Sequence, residues 1–446
     1  MENDLTSGSV LKTIVRFSLP YFLSYFLQTL YGMADLFIIG QFCGVESITA
    51  VSIGSQVMHM LTVMTVGLAM GSAVMIGQAS GAQNTKLAAR IIGNSVTLFM
   101  LVSVAAAAVL LVSVKPVVSI MATPPEAMRG TEVYLTVCFM GIPFITAYNI
   151  ISSVFRGLGD SKSPMYFIAA ACAANIALDY LFIGALGLGP AGAALGTVIS
   201  QTASAAAAFV FTKKRKTIPR PAKNDFAPDR AVIGKILKIG VPVALQDGFI
   251  QISFLLIAII ANGRGLADAA AVGIVEKIIG ILFLVPSSML STVSAISAQN
   301  IGAGKPKRAR ATLRYAAIIA ASFGLFAAIV IQFKAETVIE LFNREKDPAL
   351  IALGSEYIRA YVWDCIFAGL HFSFSGYFCA CGKSEISFLH NALSIVLVRI
   401  PGAYFASKLF ADTLFPMGLA APAGSLLSVV VCVLAYYYLH MRKRPS

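Results

Sequence analysis

Residues 14–40 read IVRFSLPYFLSYFLQTLYGMADLFIIG, and residues 236–262 read ILKIGVPVALQDGFIQISFLLIAIIAN. Each run of 27 residues carries one base and one acid, and about 20 apolar residues in helical form suffice to cross a hydrocarbon core. Lipid offers the backbone no hydrogen bonds, so such runs must be helices. Aligning the two sets Pro20 against Pro242, 222 positions on. The offset persists outward. GQASGAQ (77–83) recurs as AQNIGAG (298–304), pairing Gln78 with Gln299 and Gly81 with Gly302, and beyond it Tyr134 and Gly159 fall against Tyr357 and Gly382. The chain is therefore one long unit duplicated in tandem, not a solenoid of short repeats.

Composition identifies the solvent. Of the 446 residues, 58% are apolar and 12% charged, with mean hydropathy +0.81; a soluble domain carries about 25% charge. Twelve apolar segments fit spans near 14–40, 47–76, 88–114, 132–155, 164–185, 190–212, 236–262, 269–297, 312–334, 355–380, 386–410 and 418–440. The expected fold is all-α: a polytopic membrane protein whose twelve transmembrane helices form two pseudo-symmetric six-helix lobes, 1–212 and 236–446. Between them the stretch 213–235, with Pro219, Pro221 and Pro228, reads as a cytoplasmic linker and not a continuous helix. Two apolar bundles able to rock against each other are the usual plan of an alternating-access carrier. The seven Cys form no CxxC pair, Cys379 and Cys381 being one residue apart. They read as apolar helix residues, not as a disulfide or metal framework. No removable signal peptide is evident at the start.

The basic residues sort by side. Lys86, Arg90, Arg156, Lys162, the run 213–216, Lys305, Lys307, Arg308, Arg310 and the tail Arg442, Lys443 and Arg444 share one face. Lys115, Arg129, Arg264, Lys334, Arg344, Lys346 and Lys408 fall on the other. The positive-inside rule then puts both termini in the cytoplasm, in the inner cell membrane. Net charge of +13 is mostly this topology signal. Nucleic-acid binding is the competing reading, but the charges are split among membrane-adjacent loops without interleaved aromatics.

Ionisable groups inside the membrane are expensive and mark function by default. In the first half these are read as Asp35 on the first span and Asp179 on the fifth, with no deep Lys or Arg. Counting from the outer ends of their spans, Asp35, Asp179 and Thr197 on the sixth all lie about 7–11 Å deep. Three polar groups at one depth on three helices suggest one site. Asn175 and Asp179 share a helix face at i,i+4, as do Thr197 and Gln201. Gln28, Tyr31 and Asp35 step along one face of the first span. A carboxyl there loses water and meets a like charge, so its ionised form is penalised. Such a group can take and release a proton, or ligate Na+ through the oxygens of Asp35, Asp179 and Asn175. The bland alternative is interhelical hydrogen bonding alone. Gln28, Tyr31 and Gln201 would line a substrate cavity beside it.

In the second half, Asp247, Glu276, Lys277, Asp364 and Arg399 lie within spans 7, 8, 10 and 11. Three acids and two bases can neutralise one another as a buried polar network, with a cation role for Asp364 or Glu276 as the alternative.

The pattern Pro20…Asp35-LFIIG, the loop GQASGAQ, RGLGD at 156–160, NIALD at 175–179, AQNIGAG and RIP at 399–401 resembles the multidrug and toxic compound extrusion family, from about residue 10 to 440. The resemblance implies two six-helix lobes in a V, with a central cavity opening alternately to each side. It implies export of drugs or organic cations driven by H+ or Na+, with no cofactor. Its coupling carboxylate matches Asp35, its Asn-x-x-x-Asp matches Asn175 and Asp179, and its Thr and Gln match Thr197 and Gln28. Second-lobe acids used by some subfamilies have an uncertain counterpart in Asp364 and none in Asp247, which sits beside the expected position at Gln246. That departure favours coupling through the first lobe.

Expected partners are a small drug or organic cation and membrane lipid, with no nucleic acid; the chain is expected to act as a monomer. The alternative is a lipid-linked oligosaccharide or lipid flippase of the same superfamily, although such a protein needs a cationic cavity. A major-facilitator carrier lacks support because its charged loop after the second span is missing. A membrane enzyme would need a DDxxD-like cluster and an ATP motor a GxxxxGK[ST] loop, and neither is present.

Overall fold

The computed structural model describes residues 4–215, 217–343 and 347–441. The bases assigned above at Lys216, Arg344, Lys346, Arg442, Lys443 and Arg444 lie outside the described residues. Within them the chain is helical throughout and has no strand. The helices are α1 (Val10–Phe42), α2 (Val45–Gly81), α3 (Thr85–Val112), the short α4 (Val114–Ile120), α5 (Pro125–Gly157), α6 (Lys162–Asp179) and α7 (Gly189–Lys214), then α8 (Arg230–Asn262), α9 (Leu266–Leu282), α10 (Leu284–Gly302), α11 (Pro306–Glu340), α12 (Pro348–Tyr361), α13 (Asp364–Ala380), α14 (Ser384–Ser394), α15 (Ile400–Leu409) and α16 (Phe415–Met441).

Eleven helices or continuous helix pairs among the described residues are long and apolar enough to cross a membrane. The tenth expected span, 355–380, is broken between Tyr361 and Asp364, so α12 and α13 share the crossing. Span eight is likewise jointed at Phe283. Local chemistry sets many ends. Asn84 caps α3 by accepting the Leu87 amide at 2.9 Å, Asp347 caps α12 through the Ala349 amide at 2.9 Å, and Pro occupies the first turn of α5, α7, α11 and α12. Gly159 and Gly382, paired by the repeat, both adopt left-handed backbone (φ 87° and 69°), which glycine tolerates without strain. The repeat thus extends to turn geometry. The fifth and eleventh spans each contain a wide π-type turn as well, at Tyr180–Ala185 and Ile395–Arg399, but the two start 215 positions apart and so fall out of the repeat's register.

Contacts divide the chain into two compact units. Unit 1 holds residues 4–5, 19–240 and 302–304; unit 2 holds 6–18, 241–301 and 305–441. These differ from boundaries at 212 and 236: residues 6–18 belong with unit 2, and 213–240 with unit 1. The assignment of 222–229 has a plain cause. The Asn94 side chain donates to the Asp225 carbonyl at 2.9 Å and accepts the Asp229 amide at 2.7 Å. Thr97 donates to the Phe226 carbonyl at 2.8 Å, and Arg90 pairs with Asp229 at 2.5 Å. The linker is therefore fastened along α3.

Unit 1 is cored by Ile38, Val51, Tyr134, Phe139 and Ile183, with α5 central. Small residues let helices close where lipid supplies no hydrophobic drive: a Cβ at Gly54 would enter the Tyr134 ring, and one at Gly141 would meet Val198 at 2.5 Å. Unit 2 is cored by Ile279, Ile331, Tyr357, Tyr361 and Met417. There Arg264 ties helix ends together, donating to Asp268 at 2.6 Å and to the carbonyls of Ser407, Phe410, Ala411 and Thr413.

Candidate functional site

Asp35 on α1, Asn175 and Asp179 on α6 and Thr197 on α7 converge inside unit 1. Their exposures are 2%, 0%, 0% and 8%. The Thr197 hydroxyl donates to Asp35 Oδ2 at 3.4 Å, and the Asn175 amide donates to Asp179 Oδ1 at 3.4 Å. The two carboxyls are close enough to act on each other, with Asn175 beside both. Asp35 Oδ1, Asp179 Oδ2 and Asn175 Oδ1 remain buried without a donor. No Lys or Arg pairs with either acid among the described residues.

Two features of the backbone create this closeness. Gly196 on α7 leaves the room that the Asp179 carboxyl occupies, since a Cβ there would collide with Oδ1 and stand 3.4 Å from Asn175 Nδ2. The π-type turn begins at Tyr180, directly after Asp179; such widened turns re-aim a helix and recur at functional sites. Chemically the cluster is a set of acceptors. Two unit charges about 4 Å apart repel by about 4 kcal/mol at an effective dielectric of 20, so a proton or small cation between them is strongly favoured over two bare carboxylates.

A cavity of about 150 Å3 opens beside the pair, lined by Gln28, Tyr31, His59, Tyr134, Tyr148, Asn149 and Gln201 as well as Asp35 and Thr197. Gln28, Tyr31 and Gln201 thus fall where the sequence places them, with the Tyr31 hydroxyl next to Thr197 and Gln201. His59, Tyr148 and Asn149 were not anticipated. For His59 the signal existed: it is a titratable residue inside an apolar span, so the first half holds three such groups and not two. No Lys or Arg lines this cavity.

The expected five-member network of unit 2 forms only in part. Arg399 reaches Asp364 at 3.2 Å and Tyr361 at 2.5 Å and lies over the Phe254 ring at 5.3 Å, with Glu276 beside it. Lys277 does not join. One residue past Glu276 it is turned about 100° around α9 and is exposed. Asp247 does not join either. It lies beside Cys379 and has no ion pair among the described residues. The sequence reading also missed His371 and His390 in this unit, whose rings lie 5.4 Å apart, with His390 Nε2 2.8 Å from Ser375 Oγ.

A duplicated all-helical chain with acids held inside its apolar spans has the architecture of a membrane carrier. The family model described as MatE matches residues 20–181 and 242–405, one match in each half. The chain belongs to that family, the multidrug and toxic compound extrusion transporters, and is a multi-pass membrane protein. It is 29% identical to a probable multidrug resistance protein, YpnP, of Bacillus subtilis (strain 168), over 98% of this chain and 97% of that one. It is 25% identical to an FAD transporter of Shewanella oneidensis over 98% and 96%. A crystal structure of MATE in complex with MaL6 superposes with a TM-score of 0.90 at 23% identity, covering 98% of this chain and 97% of that chain; this likeness bears on the fold alone.

Proposed function

We propose that the protein is an antiporter of the inner cell membrane that exports drugs or organic cations in exchange for inward H+ or Na+, with both termini cytoplasmic and one chain as the working unit. The observation that carries this reading is the base-free Asp35–Asp179 pair in unit 1, with three donorless oxygens around it. In the outward-open state a proton or Na+ enters that cluster and cancels the carboxyl repulsion. Its arrival changes the charge and hydrogen bonding seen by α1, α6 and α7 together. Pro20 lies inside α1 and lacks an amide donor, so the helix can bend there. Bending narrows the adjoining cavity and favours release of cargo, after which the inward-open state returns the cation.

Cargo chemistry follows from the same cavity. Its charged lining is acidic, and its aromatic rings suit flat cations; a pyrophosphate-linked lipid would call for bases. Named cargoes of relatives differ, and a dinucleotide such as FAD would be an anion against this lining. The experiment is transport of a fluorescent cation in everted vesicles, with the pH and Na+ gradients collapsed separately. The reading expects efflux to fail with one of the two. Efflux that survives loss of both removes the antiport reading.

A further inference from the structure

On α1, Tyr21, Ser24, Gln28, Tyr31 and Asp35 recur at steps of three and four residues, one polar stripe about 21 Å long at 1.5 Å per residue. On α5, Asn149, Ser152 and Arg156 repeat the spacing. The cavity beside Asp35 is one of two along this stripe. A second, of about 20 Å3, is lined by Tyr21, Ser24, Arg156 and Ser161. The two share Gln28, Tyr148, Asn149 and Ile168 as walls, so they are stages of one column inside unit 1. Along it the Tyr31 hydroxyl is buried and makes no hydrogen bond within the geometric limits. The column closes at Arg156, the last base of α5, which is half-buried and has no ion pair among the described residues. The nearby acid, Asp160, is taken by Arg215. The ionisable groups facing the guanidinium are Tyr21 from α1 and Tyr148 from α5 itself.

We propose that the inner stage of this column, beyond the cavity that takes cargo, is the exit for the coupling ion, that the ion is a proton, and that Arg156 is the electrostatic valve at its mouth. The proposal rests on the reading of Asp35 as the coupling carboxyl. The inner stage accommodates about one water. A hydrated Na+ does not fit there, whereas a proton crosses on hydroxyls and a single water. An unpaired fixed positive charge at the narrowest point repels a second cation arriving from that end, which keeps the column from leaking when no cargo is bound. Arg156 does not touch the Asp35 site; it acts on the ion's passage.

The test uses full-length protein in proteoliposomes without drug, with an imposed membrane potential and an internal pH dye. Wild type holds protons. Arg156→Gln raises proton flux roughly tenfold or more, without raising 22Na+ flux. Arg156→Lys restores tightness, and Asp35→Asn added to Arg156→Gln abolishes the leak. A tight Arg156→Gln protein, a leak that survives Asp35→Asn, or a leak equally permeable to Na+ each overturns the proposal. Ser24→Leu provides a second arm by filling the inner stage. It is expected to slow proton-driven efflux about tenfold while sparing drug-for-drug exchange, which needs no net proton release; equal loss of both, or of neither, counts against the column. If Asp35→Asn alone exports drug normally, the coupling reading itself has failed, an outcome distinct from any of these.

Discussion

Replacing Gly196 with alanine separates a site built by close packing from one merely composed of suitable residues. In an ordinary helix interior that change stabilises by about 1 kcal/mol, because alanine is the better helix former. At position 196 the new methyl would occupy the space of Asp179 Oδ1 and approach Asn175 Nδ2 to 3.4 Å. Asp179 has a short side chain with 0% exposure, so the carboxyl must rotate away or α7 must shift. Overpacking of this kind costs about 1–3 kcal/mol. That cost falls on the arrangement that holds the cation, and it corresponds to roughly a 5- to 150-fold weaker site. The assay is drug efflux in everted vesicles as a function of coupling-ion concentration, normalised to transporter abundance. Gly196→Ala is expected to shift the half-activating ion concentration by at least fivefold at near-normal abundance. Gly280→Ala, where a Cβ meets nothing within 4 Å, is the control and should leave the curve in place. A Gly196→Ala curve that overlays wild type would refute the packed-site argument.

Asp35→Asn is expected to abolish gradient-driven efflux while the protein remains in the membrane at normal abundance, measured by vesicle transport beside immunoblotting. Arg399→Ala leaves Asp364 buried without its cation, a loss of about 3–5 kcal/mol; thermal stability in detergent should fall, and Asp364→Asn in the same chain should recover part of it. Asn94→Ala removes two hydrogen bonds to the 222–229 strap, about 2 kcal/mol together. Limited trypsin should then cut after Lys223 roughly 10–30 times faster, and an unchanged rate would mean that other contacts hold the strap.

Much of this was readable in advance because helices convert sequence intervals into geometry. The tandem offset, the span positions and the common depth of Asp35, Asp179 and Thr197 need only counting along an axis. Gln28, Tyr31 and Gln201 followed from the same steps of three and four. What escaped depends on rotation about an axis or on contacts between distant segments. Lys277 was assigned to a network from which a single 100° step excludes it. The π-type turn after Asp179, which aims that carboxyl, leaves no mark in the stretch YLFIGA. The strap at 222–229 is ordered by Asn94, about 130 positions earlier, and no local pattern announces that. The breaks at Phe283 and near Trp363 do carry a local sign: Pro286, which cannot donate back to the Leu282 carbonyl, and Asp364 lie in the first turns of the helices that follow. His59 is legible by the same rule as the acids, being a titratable side chain inside an apolar span.

The most direct measurement counts the cation displaced when drug is added to purified transporter, with a pH indicator in weak buffer for H+ and 22Na+ for Na+. Competing or mutually exclusive ligands must displace one another by linkage whatever the intervening motion. About one cation released per chain in wild type and none in Asp35→Asn is the expected result. Equal release from both proteins would place the coupling ion elsewhere.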